Sequence, residues 1–490
     1  LLVNDADAVL ERYSRSMEGH ISLAERGIKS KVDWEKRLAE IDAEAAGKDI
    51  TADKALLDIG YKHITGQRIT GDIDPNIDAA LKMLRDYNYI RVGNLMGFAQ
   101  LAELGPMLAE GGVLNFIRSV PEFKKIMIRA RNGQLDDRLS NELESITGIG
   151  ADRILHKTIM RNEHETLIGR NLGAKANKIN NALEMGKKGT NYVSGMFMIN
   201  TFMHRITMRG LAQRFVDYAG TGKSITARKL NSLGLSDKAM QKRVFDQLNK
   251  HAKTKEGMFT KRKLKHLDLD NWDDIGAQTA FSNAMYKWSR QVIQENDMGN
   301  LHKFFTNSYG KTLLQFRSFI FGAWSKQLLR GINENDMRTY AGWAGSMFFG
   351  SAAYVAQTHI RASGMDKSER RKYLKDALSD NMVAKAAFQR AGFMSLVPQG
   401  MDTALGFAGQ DPIFNTRASG LSSGGMLSNP TVDLIARTQK ASAGAIGAVL
   451  NKGEKFGEQD ATNILNILPY QNMMLIKSIQ DDLFKQLPKE

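Results

Sequence analysis

The 490-residue chain has no cysteine. That excludes disulfides, thiolate metal sites and cysteine nucleophiles. It also suits a protein that passes between reducing and oxidising compartments. Proline is scarce, with 8 residues and none between Pro121 and Pro398. So long a proline-free span, carrying periodic apolar residues, predicts helices throughout. Alternating strand patterns closed by Asn-Gly or Asp-Gly turns are nearly lacking. The fold class is therefore read as all-α, an extended assembly of long helices without a substantial β-sheet. A signal peptide is also lacking: Asn4, Asp5 and Asp7 stand where a basic start and an apolar run are needed. The chain begins Leu1-Leu2 rather than with Met, which we read as a piece of a longer polypeptide.

Catalytic motifs are lacking as well. Gly220-Thr221-Gly222-Lys223-Ser224 resembles the end of a phosphate-binding loop, but the pattern needs glycine where Asp217 stands, and a strand before it. His164-Glu165 opens a zinc-protease-like pair whose second histidine would fall at Ile168. His156 and His164 are too far apart for neighbouring helical turns to offer both to one metal. Glu144-Ser145 is similar to the acid of lytic transglycosylases, without the Gly-Met-Gln type signature downstream, and reads better as a helix-surface glutamate. No catalytic constellation, metal or cofactor is expected from these residues.

Six segments follow from the punctuation. Residues 1–70 read as a charged helical hairpin turning at Gly47-Lys48, and 71–190 as a helical domain opened by Asp74-Pro75. Residues 191–335 form a basic helical region, 336–394 an apolar helix with a basic flank, 395–430 a Gly/Ser/Pro-rich linker, and 431–490 a helical tail. The uncharged run 189–204 is too short to span a bilayer and reads as a buried bundle helix.

What is present is concentrated charge. Net charge is +15, and residues 201–330 hold 23 Lys/Arg against 10 Asp/Glu, a net of +13. Charge gathered in one quarter of a chain points to a polyanion, nucleic acid or anionic lipid; a merely solvated basic face is the alternative. Within 241–266, Lys242, Arg243, Lys250, Lys253, Lys255, Lys261, Arg262, Lys263 and Lys265 face only Asp246 and Glu256. Phosphate contacts need positive charge rather than a base-reading motif. Phe245 and Phe259 interrupt the run, as stacking platforms or as core. Upstream, Arg205, Arg209 and Arg214 recur at helical spacing, with Arg205 and Arg209 on one face. These cations, Lys255 apart, are the candidate DNA-binding residues.

Two apolar segments are candidates for membrane or partner contact. At about 100° per residue, Leu313, Phe316, Ile320, Phe321, Trp324 and Leu328 of segment 311–330 share one helix face, with Phe319 beside them. Arg317 intrudes on that face and has to snorkel or pair. Such a helix binds a membrane surface or a groove, or forms the core of a bundle. The run 339–360 carries no charge, includes Trp343, Phe348, Phe349 and Tyr354, and is followed by Arg361, Lys367, Arg370, Arg371 and Lys372. Its 22 positions reach across a hydrocarbon core of ~30 Å, and small residues four apart (Ala341 and Gly345, Ser346 and Gly350) permit close helix approach. It reads as a conditional membrane segment or as a core helix.

The ordered series SYGKTLLQFRSFIFGAWSKQLLR (308–330), the small-residue apolar run and MDKSERRKYLKDAL (365–378) resembles the C-terminal region of the large internal virion protein of autographiviruses. These are short-tailed phages with a transient ejection apparatus. The likeness extends back through DYAGTGKSITARKLNSLGLS (217–236) and NIDAALKMLRDYNYIRVGNLMGFAQLAELG (76–105) and is least clear over 431–490. The resemblance implies a core protein inside the capsid, ejected with the genome. It also implies ring-like self-assembly, a second ejection protein as partner, and a DNA-conducting channel across the host periplasm to the inner membrane. Family members often carry an N-terminal lytic transglycosylase domain, which these residues do not match. The expected partners are thus double-stranded phage DNA, further copies of the chain, a second ejection protein and, conditionally, the inner membrane. A non-catalytic part of a virion-associated peptidoglycan hydrolase, or a cellular helical scaffold or membrane-associated protein, stand as alternatives.

Overall fold

The computed structural model describes residues 6–67, 73–93, 100–112, 138–147, 174–194, 196–257, 260–293, 304, 307–363, 365–411, 413–414, 429–450 and 458–470. It is mostly helical, and among the described residues the one sheet is a two-stranded hairpin.

The first segment is three helices rather than a two-armed hairpin: Ala6–Ala24, Lys31–Glu44 and Thr51–Ile64. The extra break lies at Gly27, whose φ of 85° suits glycine and ends the first helix. Ser30 then caps the second by accepting from the Asp33 amide. The expected turn at Gly47 is present, at φ 81°. Leu23, Trp34 and Tyr61 form a small core in which the two rings stack 5.0 Å apart.

Helix Pro75–Val92 starts where Asp74-Pro75 predicts, with the Asp74 carboxylate accepting from the Asn76 amide at 2.8 Å. Its buried face is polar. Lys82 and Asp86 pair at 2.6 Å and join Lys187 and Glu184 of helix Ala174–Val193. Arg85 donates to Ser308 and Thr312, and Arg91 to Asp433, Pro430 and Asn466. One helix thus ties together segments that are hundreds of residues apart in sequence. Buried charges need this degree of pairing, since each left alone carries a large desolvation cost.

The main core lies between helices Leu104–Gly111, Arg138–Thr147, Met196–Thr221, Lys238–His251 and Ile275–Val292. Phe215 meets Phe281 and Trp288 edge-on, each at 5.3 Å, and all three are fully buried. Such side chains contribute roughly 1.5–3 kcal/mol each. This core draws on described residues from both sides of residue 190, with Leu104, Met107, Leu139 and Leu143 packed beside residues of 202–293. In the uncharged run, Met203 and also Met208 beyond it are buried, as a bundle helix requires.

Segment 311–330 is not one amphipathic helix. Helix Ser308–Leu313 ends, Phe316 takes a left-handed φ of 65°, and helix Ser318–Ala323 continues as a π-helical turn over 324–329. The expected linker begins as helix Leu396–Phe407, with Pro398 in its first turn where no intrahelical donor is lost. Residues 415–428 of that linker lie outside the described residues.

Candidate nucleic-acid interface

The basic stretch folds as helix Lys238–His251 and then a hairpin, β1 Lys253–Gly257 and β2 Thr260–His266. Asp237 caps the helix, and Val244, Phe245 and Leu248 turn into the core. Phe245 lies 4.8 Å from Tyr218, so it is core rather than a stacking platform. Phe259 lies outside the described residues. The strands are the element that helical reading missed. Their signal is the alternation Arg262, Leu264, His266 against Lys261, Lys263, Lys265, which period-two geometry sends to opposite faces.

The hairpin is held from below by two side chains. The Gln213 amide donates to the Arg262 carbonyl and accepts from the Leu264 amide, both at 2.8 Å. It satisfies one edge of β2 much as a neighbouring strand would. At the strand end, the Glu142 carboxylate accepts from the Leu267 amide at 2.7 Å and the Asp268 amide at 3.1 Å. Asp268 has a φ of 57° and meets Arg138 at 2.6 Å. Leu264 is buried beneath, while Lys253, Lys255 and Lys265 are exposed.

On the outer face Lys255 stands opposite Lys263, and Lys253 and Lys265 are exposed. The Lys261 side chain lies outside the described ones. Arg262 is half-buried and donates to Asn249 at 2.8 Å. On the helix, Lys242 is exposed. Arg243 grips Asp274 through two bonds of 2.7 and 2.6 Å, and Lys250 pairs with Asp273. The hydrogen bond from Lys250 holds the Asp273 carboxyl at about 2, and that from Arg243 does the same for Asp274. Two of the expected phosphate ligands are therefore already neutralised.

The three upstream arginines do not form a surface stripe, which corrects the expectation drawn from their spacing. Arg205 is buried against Glu144 at 2.5 Å. Arg209, half-buried, donates to Ser140 at 3.1 Å. Arg214 meets Glu110 at 2.5 Å and lies 4.6 Å over the Trp288 ring. Burial pushes the Glu110 carboxyl up, but Lys229, Arg214 and Arg330 more than offset that and hold it at about 2. The acids that claim these arginines sit 61 and 104 residues away. Helical spacing carries no trace of them. Glu144 is likewise a half-buried ion-pair partner, not a surface glutamate. The loop at Gly220-Thr221-Gly222 closes a helix, with the Gly222 amide donating to the Tyr218 carbonyl at 2.7 Å and φ 68°.

The apolar candidates divide similarly. Ile320 and Tyr354 are buried, and Tyr354 donates to the Ala377 carbonyl at 2.7 Å. Phe316 lies 6.0 Å from Tyr89, Trp343 stacks on Phe393 at 4.9 Å, and Phe349 packs on the main core. Phe321 and Trp324 are half-buried, and the Phe319 side chain lies outside the described ones. Phe348, 67 % exposed, is the candidate that faces outward. Arg317 is buried and donates to Gln399; burial pushes its guanidinium down to about 10. Helix Met337–Ala362 forms over the uncharged run, but among the described residues no helix is long and apolar enough to cross a membrane. Its small residues serve a crossing inside the chain: Gly342, Gly345 and Ser346 meet Gly105-Pro106.

No family model matches the chain, and no solved structure matches it. Over 418 aligned residues it is 21 % identical to the peptidoglycan transglycosylase gp16 of Escherichia phage T7. The alignment takes in 79 % of this chain and 30 % of that protein. The chain is a distant relative of that phage protein and spans under a third of its length.

Proposed function

We propose that the chain is the part of a phage internal virion protein that handles DNA during genome delivery, helping to form a conducting path across the host periplasm and inner membrane. The observation that carries this reading is the outer face of the hairpin, where Lys255 opposes Lys263 and Lys253 and Lys265 are exposed. Exposed lysines attract a phosphate backbone, and that attraction needs no base-reading motif. The distant relation to gp16 of phage T7 supports the phage setting.

In this reading the protein resides inside the virion and acts after ejection with further copies of itself and a second ejection protein. The inner membrane is a surface that it meets through exposed residues such as Phe348, rather than a layer that helix Met337–Ala362 spans. In this reading the transglycosylase activity in the relative's name is not assigned to these residues.

Retention of random-sequence duplex DNA by the 490-residue chain tests the reading across a salt series. Log affinity is expected to fall linearly with log salt, and the triple change Lys255→Gln, Lys263→Gln, Lys265→Gln to lower that slope by about 2–3. Binding indifferent to salt, or no binding, would overturn it. The second reading, favoured by the name of the relative, is a peptidoglycan-cleaving chain. A zymogram of this chain is expected to stay blank, and clearing would place the activity here.

A further inference from the structure

Helix Lys367–Ala377 has no buried residue and carries Lys367, Arg370, Arg371, Lys372 and Lys375, all exposed. None of these five pairs with a carboxylate among the described residues. That contrasts with the cations around the main core, where Arg205, Arg214 and Lys229 are each claimed by an acid. At about 100° per residue, Lys367, Arg371, Lys372 and Lys375 fall within an arc of about 140°. The one other residue in that arc is Ser368; Arg370 lies about 60° outside it, beyond Leu374. Glu369 and Asp376 fall together on another side, and half-buried Tyr373, Leu374 and Ala377 turn towards the body.

The helix is also fixed in place. Tyr354 of helix Met337–Ala362 donates to the Ala377 carbonyl at 2.7 Å, and Leu378 and Val383 pack against Tyr354 and Ala386. A short helix with so little apolar burial is held against the body by these contacts, which present the cations at a set spacing. Lys367, Arg371 and Lys375 form a row one turn apart, about 12 Å long.

We infer that helix Lys367–Ala377 is a second contact for the phosphate backbone of duplex DNA, about a hundred residues beyond the hairpin in sequence. The inference rests on the DNA-handling reading above. Duplex DNA fits better than an anionic bilayer because the cationic arc has no apolar residue to enter an acyl layer, which interfacial helices require. Sequence-independent contact needs only closely spaced positive charge on a surface that can reach the phosphates.

The test is the salt dependence of duplex retention by the full chain carrying Lys367→Gln, Arg371→Gln and Lys375→Gln. All three sites are exposed, so folding is expected to be unchanged, and a circular-dichroism melt checks it. The slope of log affinity against log salt is expected to fall by about 2–3, with binding roughly 10- to 100-fold weaker near physiological salt. A control with the same charge change elsewhere, Lys31→Gln, Lys36→Gln and Arg37→Gln on the exposed face of helix Lys31–Glu44, is expected to keep the slope. An unchanged slope in the first triple variant, with the parent still salt-sensitive, overturns this inference and leaves the hairpin reading standing. An equal fall in the control also overturns it, because net charge alone then explains the effect. If the triple variant loses binding to phosphatidylglycerol vesicles and retains DNA normally, the helix is a lipid contact and the inference is wrong. A parent that retains no DNA ends both readings.

Discussion

Glu103 is buried at 5 % exposure and accepts a hydrogen bond from the Gln327 amide at 2.8 Å. Burial raises its carboxyl to about 8; the Gln327 bond and the Lys326 charge counter that only in part. The unfolded chain titrates this group near its ordinary 4.5. Between those values the folded state holds a proton that the unfolded state has lost. Its contribution is therefore full below about 4.5 and is lost as pH rises through about 8. Glu103→Gln keeps an acceptor for Gln327 and removes the titration. It is expected to raise the unfolding free energy at pH ~8, read by urea titration, by roughly 1–3 kcal/mol, and to flatten the dependence of stability on pH in that window. An unchanged pH profile in the variant would show that Glu103 ionises normally. Neither the pairing nor the burial of this glutamate is legible in the sequence, because Gln327 lies 224 residues away.

Two elements depend on close backbone approach. Helix Met337–Ala362 crosses Leu104–Gly111 where Gly345 and Gly105 meet: a Cβ on Gly345 would stand 2.8 Å from the Gly105 Cα. Gly345→Ala is expected to lower stability by about 1–3 kcal/mol in urea titration, since the neighbouring atoms are backbone and cannot step aside cheaply. Gly400, inside helix Leu396–Phe407, has open space around it, and Gly400→Ala is expected to gain up to about 1 kcal/mol from helix propensity. Opposite signs for one chemical change would separate crossing from propensity. The small residues four apart, Ala341 with Gly345 and Ser346 with Gly350, are legible in the sequence, but such spacing suits lipid and protein interiors alike. The hairpin offers a second case. Gln213→Leu leaves the Arg262 carbonyl and the Leu264 amide without their side-chain partner. Faster trypsin cleavage within 253–266 is expected, with the melt of the main core little changed. Equal cleavage rates would mean that Gln213 does not hold the hairpin.

For the whole molecule, composition and periodicity are enough for the helical class, for the start at Asp74-Pro75, and for helix formation over 339–360. Each rests on local physics: absent proline, a capping carboxylate, a run of residues with apolar spacing. The concentration of positive charge in 201–330 is legible in the same way, being a property of composition. What composition leaves open is which cations reach solvent. Arg205, Arg209 and Arg214 repeat at helical spacing as a DNA-facing stripe would, yet they turn inward to Glu144, Ser140 and Glu110. Lys253, Lys255 and Lys265 remain exposed, and strand alternation commits Leu264 to the core. Ion pairs act over a few ångströms in space and across a hundred residues in sequence, so only the packed chain decides which charges are spent internally and which are left for a partner.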